Sequence, residues 1–183
     1  MSIKLKTALF DETGKRISEY YEFIWKYSDG TIKVMKNWKE YWNKINKDGT
    51  LFCKKFYRSE HLRSDYLDFG HYYAIKVTLE DESQNLITRD GTLILKRKDY
   101  TVLGNMKSYY ALIQKNCKYN IVDRTGCLIS KMWFNAISFD DHEVMDMWKV
   151  ELPNGKYNLL KRDGTLLLKK SVTYNEIKDA LNK

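Results

Sequence analysis

Five glycines, Gly14, Gly49, Gly91, Gly126 and Gly164, recur along this chain at separations of 35, 42, 35 and 38 residues. A period of this size constrains a fold more than any local propensity, because it marks one supersecondary element used again and again. The contexts agree: Asp11-Glu12-Thr13-Gly14-Lys15, Lys47-Asp48-Gly49-Thr50-Leu51, Arg89-Asp90-Gly91-Thr92-Leu93, Arg124-Thr125-Gly126-Cys127-Leu128 and Arg162-Asp163-Gly164-Thr165-Leu166. Three of them carry Asp-Gly, a strong hairpin signal because a two-residue type I′ loop needs positive φ at both central positions. Such a loop predicts that the residue four before each glycine faces the residue three after it. The resulting pairs, Phe10/Ile17, Ile45/Phe52, Ile87/Ile94, Val122/Ile129 and Leu160/Leu167, are apolar throughout, which would pin the register of each hairpin.

Alternating segments precede four of the hairpins, around Ile32 and Val34, Ile75 and Val77, Ala111 and Ile113, and Trp148 and Val150, and each reads as a strand. A short polar link follows, clearest in Pro153-Asn154-Gly155. The expected fold is therefore all-β, a tandem array of about five three-stranded meander or hairpin repeats. The repeats span approximately 1–28, 29–70, 71–105, 106–143 and 144–172 of one domain. Connectors rich in aromatics follow them, as in Phe56-Tyr57, Tyr100 and Trp133-Phe134. Residues 37–45 have helical aromatic spacing, but alignment with the other repeats assigns their end to a strand. Thr173-Tyr174-Asn175-Glu176 is a capping box, so a short terminal helix is predicted over about 174–182.

The segments Asn154-Gly155-Lys156-Tyr157-Asn158-Leu159-Leu160-Lys161-Arg162-Asp163-Gly164 and Lys115-Asn116-Cys117-Lys118-Tyr119-Asn120-Ile121-Val122-Asp123-Arg124-Thr125-Gly126 resemble the WG-repeat family. Its Trp-Gly dipeptide would fall on Trp42-Asn43, Gln84-Asn85, Tyr119-Asn120 and Tyr157-Asn158. The aromatic is kept in three of these four, and Asn, the residue after glycine most tolerant of positive φ, takes the second position. The resemblance implies an array of β-rich units, common in bacteria and their phages, acting as an interaction scaffold with no catalytic motif to carry over.

Composition narrows the function. The 183 residues are 43% hydrophobic, enough to bury a core, and include 7 Phe, 5 Trp and 14 Tyr. Thirty-two Lys and Arg against 24 Asp and Glu give a net charge of +8. Lys outnumbers Arg 25 to 7 and Asn occurs 12 times, a usage that suits an AT-rich bacterial, phage or mobile-element genome. Charges interrupt the first residues before an apolar stretch forms, so no signal peptide is expected, and no run reaches transmembrane length. Cys53, Cys117 and Cys127 lack C-x-x-C spacing, which points to buried reduced thiols in the cytoplasm rather than a disulfide framework or zinc site.

Catalytic chemistry has little to stand on, and neither an enzyme nor a cofactor is expected. His61, His71 and His142 are scattered, and Asp140-Asp141-His142-Glu143, the densest ligand cluster, alternates across a strand or lies in a polar loop. Two macromolecular readings remain. Lys54, Lys55 and Arg58, then Lys96, Arg97 and Lys98, then Lys169 and Lys170 recur after successive hairpins, a stripe suited to a nucleic-acid backbone and equally to keeping strand edges soluble. Trp25, Trp38 and Trp42 could anchor another protein. Protein binding is the expected function and nucleic-acid binding the alternative, with no membrane partner.

Overall fold

The alternating segments around Ile32, Ile75, Ala111 and Trp148 are strands in the computed structural model, which describes residues 6–28, 30–36, 41–46, 48–58, 72–107, 109–138 and 147–181. The chain is all-β with antiparallel pairing and, among the described residues, one short helix, and it divides into two compact units, Met1–Ile94 and Leu95–Lys183. In the first, β1 (Phe23–Lys26), β2 (Ile32–Met35), β3 (Trp42–Ile45), β4 (Tyr57–Arg58), β5 (Tyr72–Leu79) and β6 (Gln84–Thr88) each pair with the next. In the second, β7 (Thr101–Val102) and β8 (Met106–Lys107) pair with β9 (Tyr110–Lys115), which pairs with β10 (Lys118–Asp123). There too, β11 (Ala136–Ser138), β12 (Met147–Glu151) and β13 (Tyr157–Lys161) form a three-stranded sheet, followed by α1 (Tyr174–Leu181).

All five glycine turns share one geometry, and it is not the two-residue loop expected from the Asp-Gly pairs. Each glycine has φ between 80° and 85° and donates its N–H to the carbonyl three residues before it, from Gly14 to Asp11 through Gly164 to Lys161. Asn46 then donates to Thr50 at 2.8 Å, closing a three-residue loop in which a type I turn ends on one left-handed residue. Asp48 and Asp163 instead point their Oδ1 at the threonine after the glycine, accepting from the Thr50 hydroxyl at 2.6 Å and from that of Thr165 at 2.6 Å. The register moves by one residue as a result: the bridges are Phe10 to Arg16, Ile45 to Leu51, Ile87 to Leu93, Val122 to Leu128 and Leu160 to Leu166. Apolar patterning could not separate the two registers, since four hairpins carry apolar residues at both positions after the glycine. The type I′ loop does occur, at Asn116-Cys117 between β9 and β10, with φ of 49° and 56°.

Beyond its single bridge, the chain after each turn leaves the ladder. The cause is an asparagine six residues before the glycine: Asn43, Asn85, Asn120 and Asn158 are all buried. Asn43 Nδ2 donates to the carbonyls of Cys53 (2.7 Å) and Lys55 (3.0 Å), while its Oδ1 accepts from Cys53 N (3.1 Å). Asn120 donates likewise to Ser130 (2.9 Å) and Met132 (3.0 Å), and Asn158 exchanges both bonds with Leu168. The backbone groups that a third strand would offer to a neighbour are satisfied by a side chain, so the segment bends away. None of these asparagines has positive φ, so they are not glycine substitutes in a turn; they are extended strand residues kept for their amides. The first hairpin has Ala8 at this position and uses Ser18, whose Oγ accepts from Leu9 N at 2.9 Å.

The glycines are required a second time where hairpins stack. A Cβ on Gly49 would lie 2.1 Å from the Ile17 carbonyl oxygen, one on Gly91 2.0 Å from that of Phe52, and one on Gly164 1.9 Å from that of Ile129. Each of these carbonyls belongs to the third residue after the preceding glycine. The core forms at the same junctions. Leu9 and Tyr21 meet Ile45 and Leu51; Phe52 and Tyr57 meet Ile87 and Leu93; Ile129 and Phe134 meet Leu160 and Leu166. The capping box is made, with Glu176 Oε2 accepting from Thr173 N at 2.7 Å, and it seats Ile177 of α1 fully buried.

Asn tolerates left-handed φ but carries a Cβ, so Gly91→Asn is expected to lower stability by more than about 3 kcal/mol in urea unfolding. Gly155→Asn, with nothing within 4 Å of the added carbon, should stay within about 1 kcal/mol of wild type. Asn120→Ala, which strips the carbonyls of Ser130 and Met132 of their donor, should cost about 2–4 kcal/mol by the same measurement.

Candidate interaction surface

Strands β1, β2 and β3 place their side chains in alternate rows. Ile24, Val34, Ile32 and Ile45 turn to the core with Tyr21, Tyr41 and Phe56. The opposite face carries Phe23, Trp25, Lys33, Met35 and Trp42. Phe23 and Trp25 stack with centroids 5.3 Å apart and planes 16° from parallel. Lys33, directly opposite Trp25, holds its Nζ 5.9 Å from the Trp25 ring and 4.6 Å from the Trp42 ring. The three side chains make one aromatic and cationic row, worth about 0.5–1 kcal/mol per contact at an exposed site. Its outer end is open: Trp25 is 38% exposed, and among the described residues β1 pairs only with β2.

Of the three tryptophans expected to act together, Trp25 and Trp42 share a sheet face but differ in burial. Trp42 is buried at 3% exposure against Tyr57 and belongs to the core, so it cannot anchor a partner. Trp38 lies outside the described residues, as do His61, His71 and the Asp140 to Glu143 cluster. Among the described residues no three His, Cys, Asp or Glu side chains gather as a metal site. Cys53 is buried, and burial pushes its thiol up. Cys117 and Cys127 are exposed rather than buried, since both sit in turns.

The basic positions are exposed or half-exposed, yet Lys55, Arg58 and Arg97 face carboxylates. Lys55 lies 3.4 Å from Asp81, and Arg58 lies 3.1 Å from Glu82 with its guanidinium over the Tyr41 ring. Arg97 clasps Asp99 through Nε (3.1 Å) and Nη2 (2.9 Å), and Lys115 joins the same carboxylate at 2.6 Å. Lys54, Lys96, Lys169 and Lys170 stand exposed. Lys131, which sequence runs did not single out, is exposed at the position equivalent to Lys54 and Lys169, one residue beyond the segment's clamped residue. Two further aromatic and arginine pairs escaped the sequence reading: Arg16 over Tyr20 at 4.8 Å and Arg124 over Tyr109 at 3.8 Å, with both tyrosines exposed. Only the recurrence of Arg two residues before a glycine signalled the second of them.

No helix among the described residues is long and apolar enough to cross a membrane. The chain matches no protein-family profile and no curated protein.

Bonds from Arg97 and then Lys115 hold the Asp99 carboxyl down, from an ordinary 3.8 to about 2. Because the folded value is the lower one, the stability tied to Asp99 is complete above the ordinary carboxylate range and disappears as pH falls through about 2. Asp99→Asn is expected to flatten the fall of the urea midpoint between about pH 5 and pH 2, with the curves converging at the acid end.

Proposed function

We propose that this chain is a non-enzymatic, cytoplasmic scaffold of five degenerate WG-like repeats that binds another protein, with the β1 edge and Trp25 as its anchor. The observation that carries the reading is the Phe23, Trp25 and Lys33 row on a strand that, among the described residues, pairs on one side only. An edge strand offers backbone groups to an incoming strand, and a rigid, partly exposed tryptophan beside it supplies the side-chain contact that interface energies concentrate in. The equivalent hydrogen bonds of the five glycine turns support the repeat reading, and thiols without disulfides suit a reducing compartment.

Nucleic-acid binding is the second reading, favoured by exposed Lys54, Lys96, Lys169 and Lys170 at recurring positions. Against it, Asp81, Glu82 and Asp99 bring negative charge onto the same stripe, where a phosphate backbone would be repelled. Titration with DNA and RNA at ~50 mM salt is expected to show no saturable binding; saturation there with steep weakening by ~200 mM would replace the protein reading. A protein captured from lysate and then titrated directly should lose roughly 30-fold in affinity for Trp25→Ala, as for an anchor worth about 2 kcal/mol. It should lose little for the Lys54→Glu, Lys55→Glu, Arg58→Glu variant, and the reverse ranking would move the site to the basic stripe.

A further inference from the structure

Each junction between stacked hairpins has two halves. One is a glycine with no side chain to obstruct it, and the other is the carbonyl three residues after the preceding glycine, as Gly49 on Ile17, Gly91 on Phe52 and Gly164 on Ile129 show. Among the described residues, two such halves stand open. Gly14 has the same backbone, φ 81°, with nothing described within 4 Å of its missing Cβ. Leu167, three residues after Gly164, is 41% exposed, whereas Ile17, Phe52 and Ile129 are half-buried. The side chains agree: Phe10 is 56% exposed, while its counterparts Ile45, Ile87, Val122 and Leu160 are 7% or less.

We propose that these halves fit each other between molecules: a second copy of this chain docks head to tail, the Gly14 turn of one copy seated on the Leu167 backbone of the next. Charge supports this occupant. Where Gly91 sits on Phe52, Lys54 and Asp90 line the same groove, the lysine five residues after one glycine facing the acid before the next. The open ends also carry opposite charges, Lys169 with Lys170 on one side and, on the other, Asp11 with Glu12, three and two residues before Gly14 and beside Lys15, where Thr13 stands in the place of Asp90. Helix α1 covers only part of the last hairpin, with Tyr174 edge-on to Tyr157 at 5.3 Å, and leaves Leu167 open. The contact joins two different patches, so it adds copies without closing a pair.

Sedimentation velocity from about 10 µM to about 1 mM tests it, a range that reads weak contacts. The expected result is a mass rising from 21.9 kDa through successive multiples and falling back in high salt. Gly14→Asn keeps the turn but adds the obstructing carbon, and Leu167→Glu spoils the other half; each alone is expected to stay monomeric with a wild-type melting curve. Mixed one to one, they retain one good half each and should form a dimer and nothing larger, which also shows that both are folded. As a second route, Lys169→Glu with Lys170→Glu should weaken association at least tenfold, and Glu12→Lys should restore it. A wild-type chain that remains monomeric throughout, or a Gly14→Asn variant that associates as well as wild type, would overturn the proposal.

Discussion

The interaction on which the rest of this structure depends is the buried side-chain amide of Asn43, Asn120 and Asn158. A carboxamide sealed from water must use its donors and its acceptor, and at Asn43 and Asn120 two donors reach carbonyls ten and twelve residues further on. That requirement ends the third segment of the hairpin after one bridge, turns the chain outward, and brings it back as Tyr57 or Phe134 to pair beside Trp42 or Tyr119. It also explains why lysine follows the clamped residue at Lys54, Lys131 and Lys169. The clamped residue faces the amide, so the next one faces solvent.

The strands were legible because alternation is a property of the pleat itself. The turns were legible only in part. Asp-Gly is compatible with two loop geometries; in the three-residue form Asp48 and Asp163 capture the hydroxyl of the threonine after the glycine, yet Gly14 and Gly126 reach the same form without that threonine. The asparagines sit where positive φ is expected, yet none has it. Positive φ and a buried amide both favour Asn, and one sequence holds no information on which is in use. Trp25 and Trp42 illustrate the same limit. They share a sheet face, and burial is decided by what lies beyond each: Tyr57 over Trp42 and, among the described residues, no further strand beside Trp25.

The pairing of the basic residues was illegible for a different reason. A run of basic residues is visible as a run, whereas the carboxylates that meet Lys55 and Arg58 come from the turn between β5 and β6, over twenty residues away. That turn places Glu82 at φ 62°, a conformation that costs a non-glycine residue about 1 kcal/mol or more. Its carboxylate is held by the Tyr41 hydroxyl at 2.6 Å and by Arg58, bonds that offset the strain. The neutralisation of Lys55 and Arg58 is thus a built feature of the N-terminal compact unit.

The glycine contact has a consequence for how such a chain can change. The stacked pairs Gly14 and Gly49, Gly49 and Gly91, and Gly126 and Gly164 are separated by 35, 42 and 38 residues, yet the would-be Cβ meets its carbonyl at 2.1, 2.0 and 1.9 Å. Seven residues of difference are absorbed without moving the junction by more than about 0.2 Å. Connectors can therefore lengthen, shorten or acquire new surface chemistry while the junctions hold still, so variation is channelled into the loops and withheld from the stack.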